Sequence, residues 1–373
     1  MKKTILFLLS IVIFYSCSND EKIDDNPTVE IPNVEIPTKP EPVPQSKIIY
    51  IAGYEGREAR AWKNSQSFNI DNPYKNIPPR NIDAGSIFVQ GEDIYVFGSA
   101  DLDLYNNVYL NYASIIWKNG KAIKQGSVSS MCATYNYYPL FITEKDFYYV
   151  SNEDNFHKDS SVPYLVKNDI QTALTDPNAL EHTFASSMYV KSNDVYVVLN
   201  HLESNYLNNY SVKLWKNGQT SPITDGKVLR ADSRANSIYV SDNNDVYIAG
   251  YHTADVSERK KAVIWKNGIP TFLTDGYQVA EAKSIYINGT DIYAAGYHIY
   301  HAAIWKNGVE ISLTNEKNYS VANSIAVDGT DIYVVGYEII NSISVAMLWK
   351  NGVAIPLTDG SKDSQAKSIF IGK

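Results

Sequence analysis

Three histidines recur at one place in a repeated pattern. His201, His252 and His298 each follow a β-type run, and Glu55, Glu153 and Glu338 take the corresponding place in three other copies; one copy has Ala100. The chain has only six histidines, so half of them share this column. Imidazoles and carboxylates on one rim of a fold can share a divalent metal, with the carboxylates completing or orienting the coordination. A metal so held is a Lewis acid for a bound sugar acid or ester. The same groups can instead act as general acid and base. Strand spacing puts equivalent atoms of neighbouring copies on the order of 10 Å apart, within reach of inward-pointing side chains. Solvated caps on strand ends have this composition too, and copies related by duplication inherit residues. His301 follows His298 by three residues, a spacing that in a continuous strand sends the two to opposite faces, so it falls outside the column.

The elements that carry the column are set by a repeated phrase. It reads Trp62-Lys63-Asn64-Ser65, Trp117 to Gly120, Val166-Lys167-Asn168-Asp169, Trp215 to Gly218, Trp265 to Gly268, Trp305 to Gly308 and Trp349 to Gly352, at intervals of 55, 49, 49, 50, 40 and 44 residues. A period in this range, built of short strands, points to a propeller or a solenoid. Trp is expected to pack between units and Asn-Gly to turn a hairpin. The copy with Val166 and Asp169 is expected to be the least regular.

Residues 282–314 show one unit. Ala282 to Ile287 reads as a first strand, turned by Asn288-Gly289. Asp291 to Tyr297 reads as a second, Ala302 to Trp305 as a third turned by Asn307-Gly308, and Glu310 to Leu313 as a fourth. The runs are short, β-branched and aromatic, bounded by Asn, Asp and Gly, with no helical period. The first copy starts late, at Ile48 to Tyr54, which matches a second strand. The last ends early, at Ala366 to Ile371, which matches a first strand. A C-terminal strand can therefore complete the N-terminal unit and leave no open edge. The expected fold is all-β: a seven-bladed β-propeller of four-stranded blades over residues 47–373, closed by the C-terminal strand.

Tyrosine is abundant, at 29 residues, and three loops concentrate it: Tyr105, Tyr109 and Tyr112; Tyr137 and Tyr138; Tyr206 and Tyr210. They fall on the same rim as the His/Glu column. Tyr offers flat apolar area with a hydroxyl, and neighbouring Asn offers paired donors and acceptors. The mixture suits sugar faces and edges, and equally a peptide surface. It also suits loops that pack on themselves.

Residues 1–16 have signal-peptide order: Lys2 and Lys3, an apolar run from Ile5 to Tyr15, then Ser16-Cys17. Phe14-Tyr15-Ser16-Cys17 resembles a bacterial lipobox of the relaxed kind found in Bacteroidota. The resemblance implies that Cys17 is lipidated; the alternative is a secreted protein cleaved nearby. Residues 17–46 then form a tether rich in proline and acid, extended at roughly 3 Å per residue. Asp20-Glu21 and Asp24-Asp25 resemble a surface-export signal, or are simply a solvated linker. Only Cys132 remains, so no internal disulfide supports the fold.

Net charge is −8. No basic stripe argues for nucleic acid, and no basic amphipathic helix argues for a membrane contact beyond the lipid anchor. Gly-x-Ser-x-Gly, His-Glu-x-x-His and phosphate-loop motifs are absent from the sequence. Through its signal and its repeats the chain resembles the Trp-Lys-Asn-Gly-type propeller lipoproteins of Bacteroidota, which implies fold and location but no chemistry. The leading expectation is a cell-envelope lipoprotein on the outer membrane, surface-exposed, that binds a glycan or protein partner on one rim without catalysis or a required cofactor. The ligand-binding residues would be the seven loop tyrosines with Glu55, Glu153 and Glu338. A metal-assisted polysaccharide lyase or hydrolase, with metal on His201, His252 and His298, is the alternative, and a scaffold subunit of an outer-membrane assembly is a third.

Overall fold

The computed structural model describes residues 47–372 apart from 75–80, 103–110, 130–138, 156–159, 205–208, 225, 227–230, 256–257 and 316. The signal segment 1–16, Cys17 and the tether 17–46 lie outside the described residues, as does Cys132. The described residues form 28 strands and no helix. The first blade holds β1 (Ile48–Glu55), β2 (Glu58–Lys63) and β3 (Gln66–Phe68). Next come β4 (Asn81–Gln90), β5 (Asp93–Leu102), β6 (Asn111–Lys118) and β7 (Lys121–Ser129), then β8 (Leu140–Ile142), β9 (Phe147–Asn155), β10 (Ser160–Lys167) and β11 (Ile170–Ala173). They are followed by β12 (His182–Lys191), β13 (Asp194–Ser204), β14 (Asn209–Lys216) and β15 (Gln219–Pro222), and by β16 (Asp232–Val240), β17 (Val246–Thr253), β18 (Lys261–Lys266) and β19 (Ile269–Phe272). The last are β20 (Ala280–Asn288), β21 (Asp291–His298), β22 (His301–Lys306) and β23 (Val309–Ser312), then β24 (Ser320–Asp328), β25 (Asp331–Ile340), β26 (Ile343–Lys350) and β27 (Val353–Pro356), and finally β28 (Ser364–Gly372).

The chain is thus an all-β protein of repeated four-stranded antiparallel blades, a fold of β-propeller type. β28 pairs with β1 in the sheet β28-β1-β2-β3, so the last strand of the chain lies in the same sheet as the first. The degenerate copy departs from the pattern as its sequence predicts. β8 is only three residues long, and β10 makes one parallel bridge to β12, Ser161 to His182, that merges β8–β15 into a single sheet.

The repeated phrase builds a clamp at one end of each blade. Asn307 and Gly308 both have positive φ, 52° and 82°, as a type I′ hairpin requires. In every copy the phrase Asn accepts a hydrogen bond from the backbone amide near the start of the second strand; Asn307 Oδ1 takes the Ile292 N–H at 2.8 Å. In six copies its amide nitrogen also donates to an Asp one residue earlier, as Asn307 Nδ2 does to Asp291. The phrase Lys completes the group. Lys306 pairs with Asp291 at 2.9 Å and lies over the Tyr293 ring at 5.2 Å. The other hairpin differs from expectation. Asn288 pairs with Asp291, so the two-residue loop is Gly289-Thr290, with Gly289 at φ 61° and no left-handed Asn. One glycine suffices because a type II′ turn needs positive φ only at its first central residue.

The tryptophans seal the faces between blades. Trp305 is fully buried against Tyr247, Ala249 and Ile264 of the preceding blade, and Trp349 against Tyr293, Ala295 and Ile304. Val166 fills the same place against Phe97 and Ile116 with less bulk.

The first strand of each blade carries the inner layer. Most share an Ala-x-Ser step with a β-bulge, as in Ala282-Lys283-Ser284 and Ala322-Asn323-Ser324. The bulge turns the Ser outward from the ladder toward the next blade. Ser284 Oγ accepts the Ile325 amide at 3.2 Å, and the same link runs from Ser187 to Ile238, Ser237 to Ile285, Ser324 to Ile369 and Ser368 to Ile87. Two residues further along, on the same strand face, an aromatic tier stacks in the same direction. Phe370, Phe88, Phe141, Tyr189, Tyr239 and Tyr286 meet in sequence with ring centroids 4.8–5.4 Å apart.

Candidate rim site and inner cavity

Strand register puts the predicted column in one structural row. Each member lies four residues past the position that faces the phrase Trp, as His298 does past Ala294, which pairs with Trp305. The row marks the rim opposite the Asn-Gly clamps. The structure does not bring His201, His252 and His298 together, however: each is held within its own blade. His201 is 6 % exposed and bonds Thr183 Oγ1 at 2.8 Å. His252 bonds Ser233 Oγ at 2.7 Å and faces the Phe272 ring. Burial pushes both imidazoles below the ordinary histidine range, helped by Lys213 and Lys261 respectively, so both are poised neutral. The expected three-histidine metal centre therefore has no geometric basis. The carboxylates are likewise engaged: Glu55 with Arg60 at 3.0 Å, Glu153 with Gln171 at 2.9 Å and Glu338 with Asn318 at 2.8 Å.

His298 has one partner that the strand-alternation rule set aside, His301, and one that no motif marks, Glu310. His298 and His301 are direct cross-strand partners, because the chain turns at Ile299-Tyr300 between them. The rule of opposite faces applies within one strand, and this spacing spans a hairpin. Glu310 in β23 approaches both rings, 2.9 Å from His298 Nδ1 and 3.3 Å from His301 Nε2. The alternation of His298 with Gly296 and of His301 with Ala303, themselves a cross-strand pair, leaves only small residues on this face between the histidines and Glu310. No sequence motif announces Glu310; only the register of three strands does.

Of the predicted rim tyrosines, Tyr105, Tyr109, Tyr137, Tyr138 and Tyr206 lie outside the described residues, and Tyr112 lies in β6, where only the backbone is described. Tyr210 is a correction. It is 6 % exposed, under the Arg234 guanidinium at 3.8 Å and beside Phe184, because it belongs to β14 and pairs with Leu202 and not to the preceding loop. Other tyrosines occupy the rim in its place. Tyr300, at 66 % exposure, caps the β21–β22 turn, and Tyr319, at 38 %, precedes β24. Tyr300, Tyr319 and Tyr337 form a row with ring centroids 6.4 and 6.2 Å apart, beside the Asn318–Glu338 bond. Backbone bonds fix the row: Ser320 N–H donates to Tyr300 O and Ile339 N–H to Tyr319 O.

Inward of this rim lies a polar cavity of about 360 Å³ at the level of the Ser tier. Its walls are mainly Ser, Asn and Gly with the cations Lys283 and Lys367, of which Lys367 is paired with Asp83; Pro139, Leu140 and Met188 form an apolar minority on one side. Lys283 makes no ion pair among the described residues; its charge, with Lys260 and Asn236, outweighs burial and holds the buried Glu281 carboxyl below its ordinary range. Walls of this kind suit a hydroxylated or anionic solute and not an apolar one.

No family model matches the chain, and no curated protein matches it. Among solved structures it is similar to the acylaminoacyl peptidase of Pyrococcus horikoshii, at 11% identity and a TM-score of 0.41, over 76% of this chain and 53% of that one. It is similar to the β-propeller domain of the Trilobed protease from Pyrococcus furiosus, at 12% identity and a TM-score of 0.36, over 74% and 97%. It is also similar to a subtype N11 neuraminidase-like protein of A/flat-faced bat/Peru/033/2010 (H18N11), at 11% identity and a TM-score of 0.44, over 74% and 89%. The chain spans about half the length of the acylaminoacyl peptidase and of a puromycin-hydrolyzing peptidase of Mycobacterium tuberculosis that it also matches.

Proposed function

We propose that the chain is a closed, seven-bladed propeller, anchored to the outer membrane through Cys17, and that it binds a glycan on the rim carrying Tyr300, Tyr319 and Tyr337 without catalysing a reaction. Closure is supported by the pairing of β28 with β1 and by contacts of β28 with both β24 and β4. The lipid anchor and envelope location rest on the lipobox-like segment before Cys17.

The observation that carries the binding reading is the tyrosine row. Three successive rings, tilted by 54° and 41° to one another and two of them exposed, give a sugar chain apolar faces to stack on. Asn318 and Glu338 beside them supply hydrogen-bonding edges. Large aromatics left in solvent on a rigid scaffold mark a contact surface. A protein partner would use the same chemistry; the even spacing of the rings favours a repeating sugar.

The test is a panel of neutral and acidic oligosaccharides, followed by calorimetry with Tyr300→Ala and Tyr319→Ala. Each substitution should lower affinity about tenfold or more, about 1.4 kcal/mol, with the melting temperature unchanged. Unaltered affinity in both variants overturns the row as the binding surface. Failure of every sugar alongside capture of a protein through the same tyrosines selects the protein reading.

A further inference from the structure

We propose that His298, His301 and Glu310 form a binding site for one divalent transition-metal ion, best suited to zinc. Nothing in the glycan reading requires it, and it stands whether or not the tyrosine row binds sugar.

The geometry comes first. The three side chains are offered by three adjacent strands of one blade: the end of β21, the start of β22, and β23. One ligand atom of each, His298 Nδ1, His301 Nε2 and a Glu310 oxygen, all lie within 4.8 Å of one another, the only such group of three found among the described residues. A tetrahedral zinc with bonds of about 2.0–2.2 Å holds its ligand atoms about 3.3–3.5 Å apart. The carboxylate-to-imidazole distances of 2.9 and 3.3 Å are therefore within a few tenths of an ångström of that spacing. Small side-chain rotations would open the group around an ion with no backbone movement.

The donor set points the same way. Two imidazoles and one carboxylate suit zinc and neighbouring first-row metals far better than calcium or magnesium, which take oxygen ligands. Three protein ligands leave a fourth position for water or a hydroxyl of a bound solute, the pattern of open sites. His301 is 5 % exposed, so its nitrogen competes little with water, while His298 and Glu310 remain partly exposed and give an ion a way in. The other two column histidines lack this set: each hydrogen-bonds one hydroxyl, and the Glu181 and Glu203 carboxylates near His201 stand 3.9 Å away at opposite ring nitrogens, with no second imidazole in the group.

The turn joining the histidines is a second, independent feature. Ile299 has φ 60°. A β-branched residue in the left-handed region costs roughly 1–2 kcal/mol, and such strain persists where the surroundings hold it and clusters at binding sites. The turn keeps the two rings as a facing pair with centroids 5.8 Å apart. Without metal, the same atoms satisfy one another through hydrogen bonds from the imidazoles to Glu310, and the experiment must separate these two states.

The whole chain, purified with no affinity histidines and no chelator, is titrated with Zn²⁺ by calorimetry at neutral pH, and with Co²⁺ by its visible spectrum. One equivalent of Zn²⁺ should bind, and Co²⁺ should give the intense bands of a low-symmetry site with few ligands. Glu310→Gln and His298→Ala should each weaken Zn²⁺ binding at least about tenfold and remove the Co²⁺ bands. His252→Ala should bind as the parent does. Glu310 is on the outermost strand, so Glu310→Gln keeps the test usable if loss of a histidine harms folding. Absence of saturable binding by the parent overturns the proposal. So does binding that survives both substitutions, or that is lost equally in His252→Ala.

Discussion

Asn307 holds the start of its own hairpin from the far end: its Oδ1 accepts the Ile292 amide at 2.8 Å while its Nδ2 donates to Asp291 at 2.8 Å. One side chain thus joins the second and third strands of a blade where the ladder ends. It also explains why the repeated phrase carries Asn where a turn alone would accept Gly. Asn307 and then Lys306 hold the Asp291 carboxyl below the usual carboxylate range.

Replacing Asn307 separates the two roles. Asn307→Gly keeps the left-handed backbone and loses only the bonds, and should cost about 1–2 kcal/mol in urea unfolding. Asn307→Ala adds the backbone penalty, roughly 1 kcal/mol more. Equal stability of Gly and wild type would show the bonds to be idle.

Two glycines of one blade should respond oppositely in size. A Cβ on Gly296 would sit 1.9 Å from the Glu281 carbonyl oxygen, where the bulged strand presses on its neighbour. Gly296→Ala should cost at least about 3 kcal/mol or prevent folding. Gly289→Ala meets nothing within 4 Å and pays only for φ 61°, about 1 kcal/mol. Thermal melts of the pair decide it.

His201 and His252 make stability depend on pH in a predictable direction. Their folded pKa values lie below the ordinary 6.5, chiefly through burial. The unfolded chain therefore binds their protons more readily, so their contribution is complete above about pH 6.5 and is lost as pH falls toward the folded values. The melting temperature should drop between about pH 7 and 5, and a His201→Gln/His252→Gln double variant should flatten that part of the curve. A slope unchanged in the variant would assign it to other groups.

Removal of Ser364–Lys373 should leave one edge of β1 unpaired along its whole length, with Ile49 and Ile51 losing the part of their cover that Ala366 and Ile369 supply. An exposed apolar edge templates association. Light scattering should show aggregation of the truncated chain, and a peptide of the missing segment should suppress it. A monomeric, cooperatively folded truncation would refute the role given to β28.

The fold was legible because its unit is local: turn residues, β-branched runs and a period recur along the chain, and the late start and early finish foretold the β28–β1 pairing. The Asp-x-Tyr half of the clamp, as in Asp291-Ile292-Tyr293, and the Ala-x-Ser step recur along the chain but acquire meaning only once strands are in register. The site was less legible. The column did mark one row, yet its histidines were expected to converge, and side chains at equivalent places in different blades keep to their own blade. His301 was excluded by a rule for continuous strands, and Glu310 is separated from His298 by one intervening strand, β22. Tyr210 shows the reverse error, a loop-like sequence that is strand and core.

The run of serine links has one gap. Where the other first strands carry Ser, the chain at β8 has Pro139, which offers no hydroxyl to Met188 of β12, and Ser86 Oγ of β4 is buried with no partner among the described residues. Here the inner tier is joined by aromatic rings, Phe88 on Phe141 and Phe141 on Tyr189, without a serine link. Under mild denaturant the inner tier should loosen first on either side of β8, and amide exchange of β8 should report that opening before the first strand of any other blade.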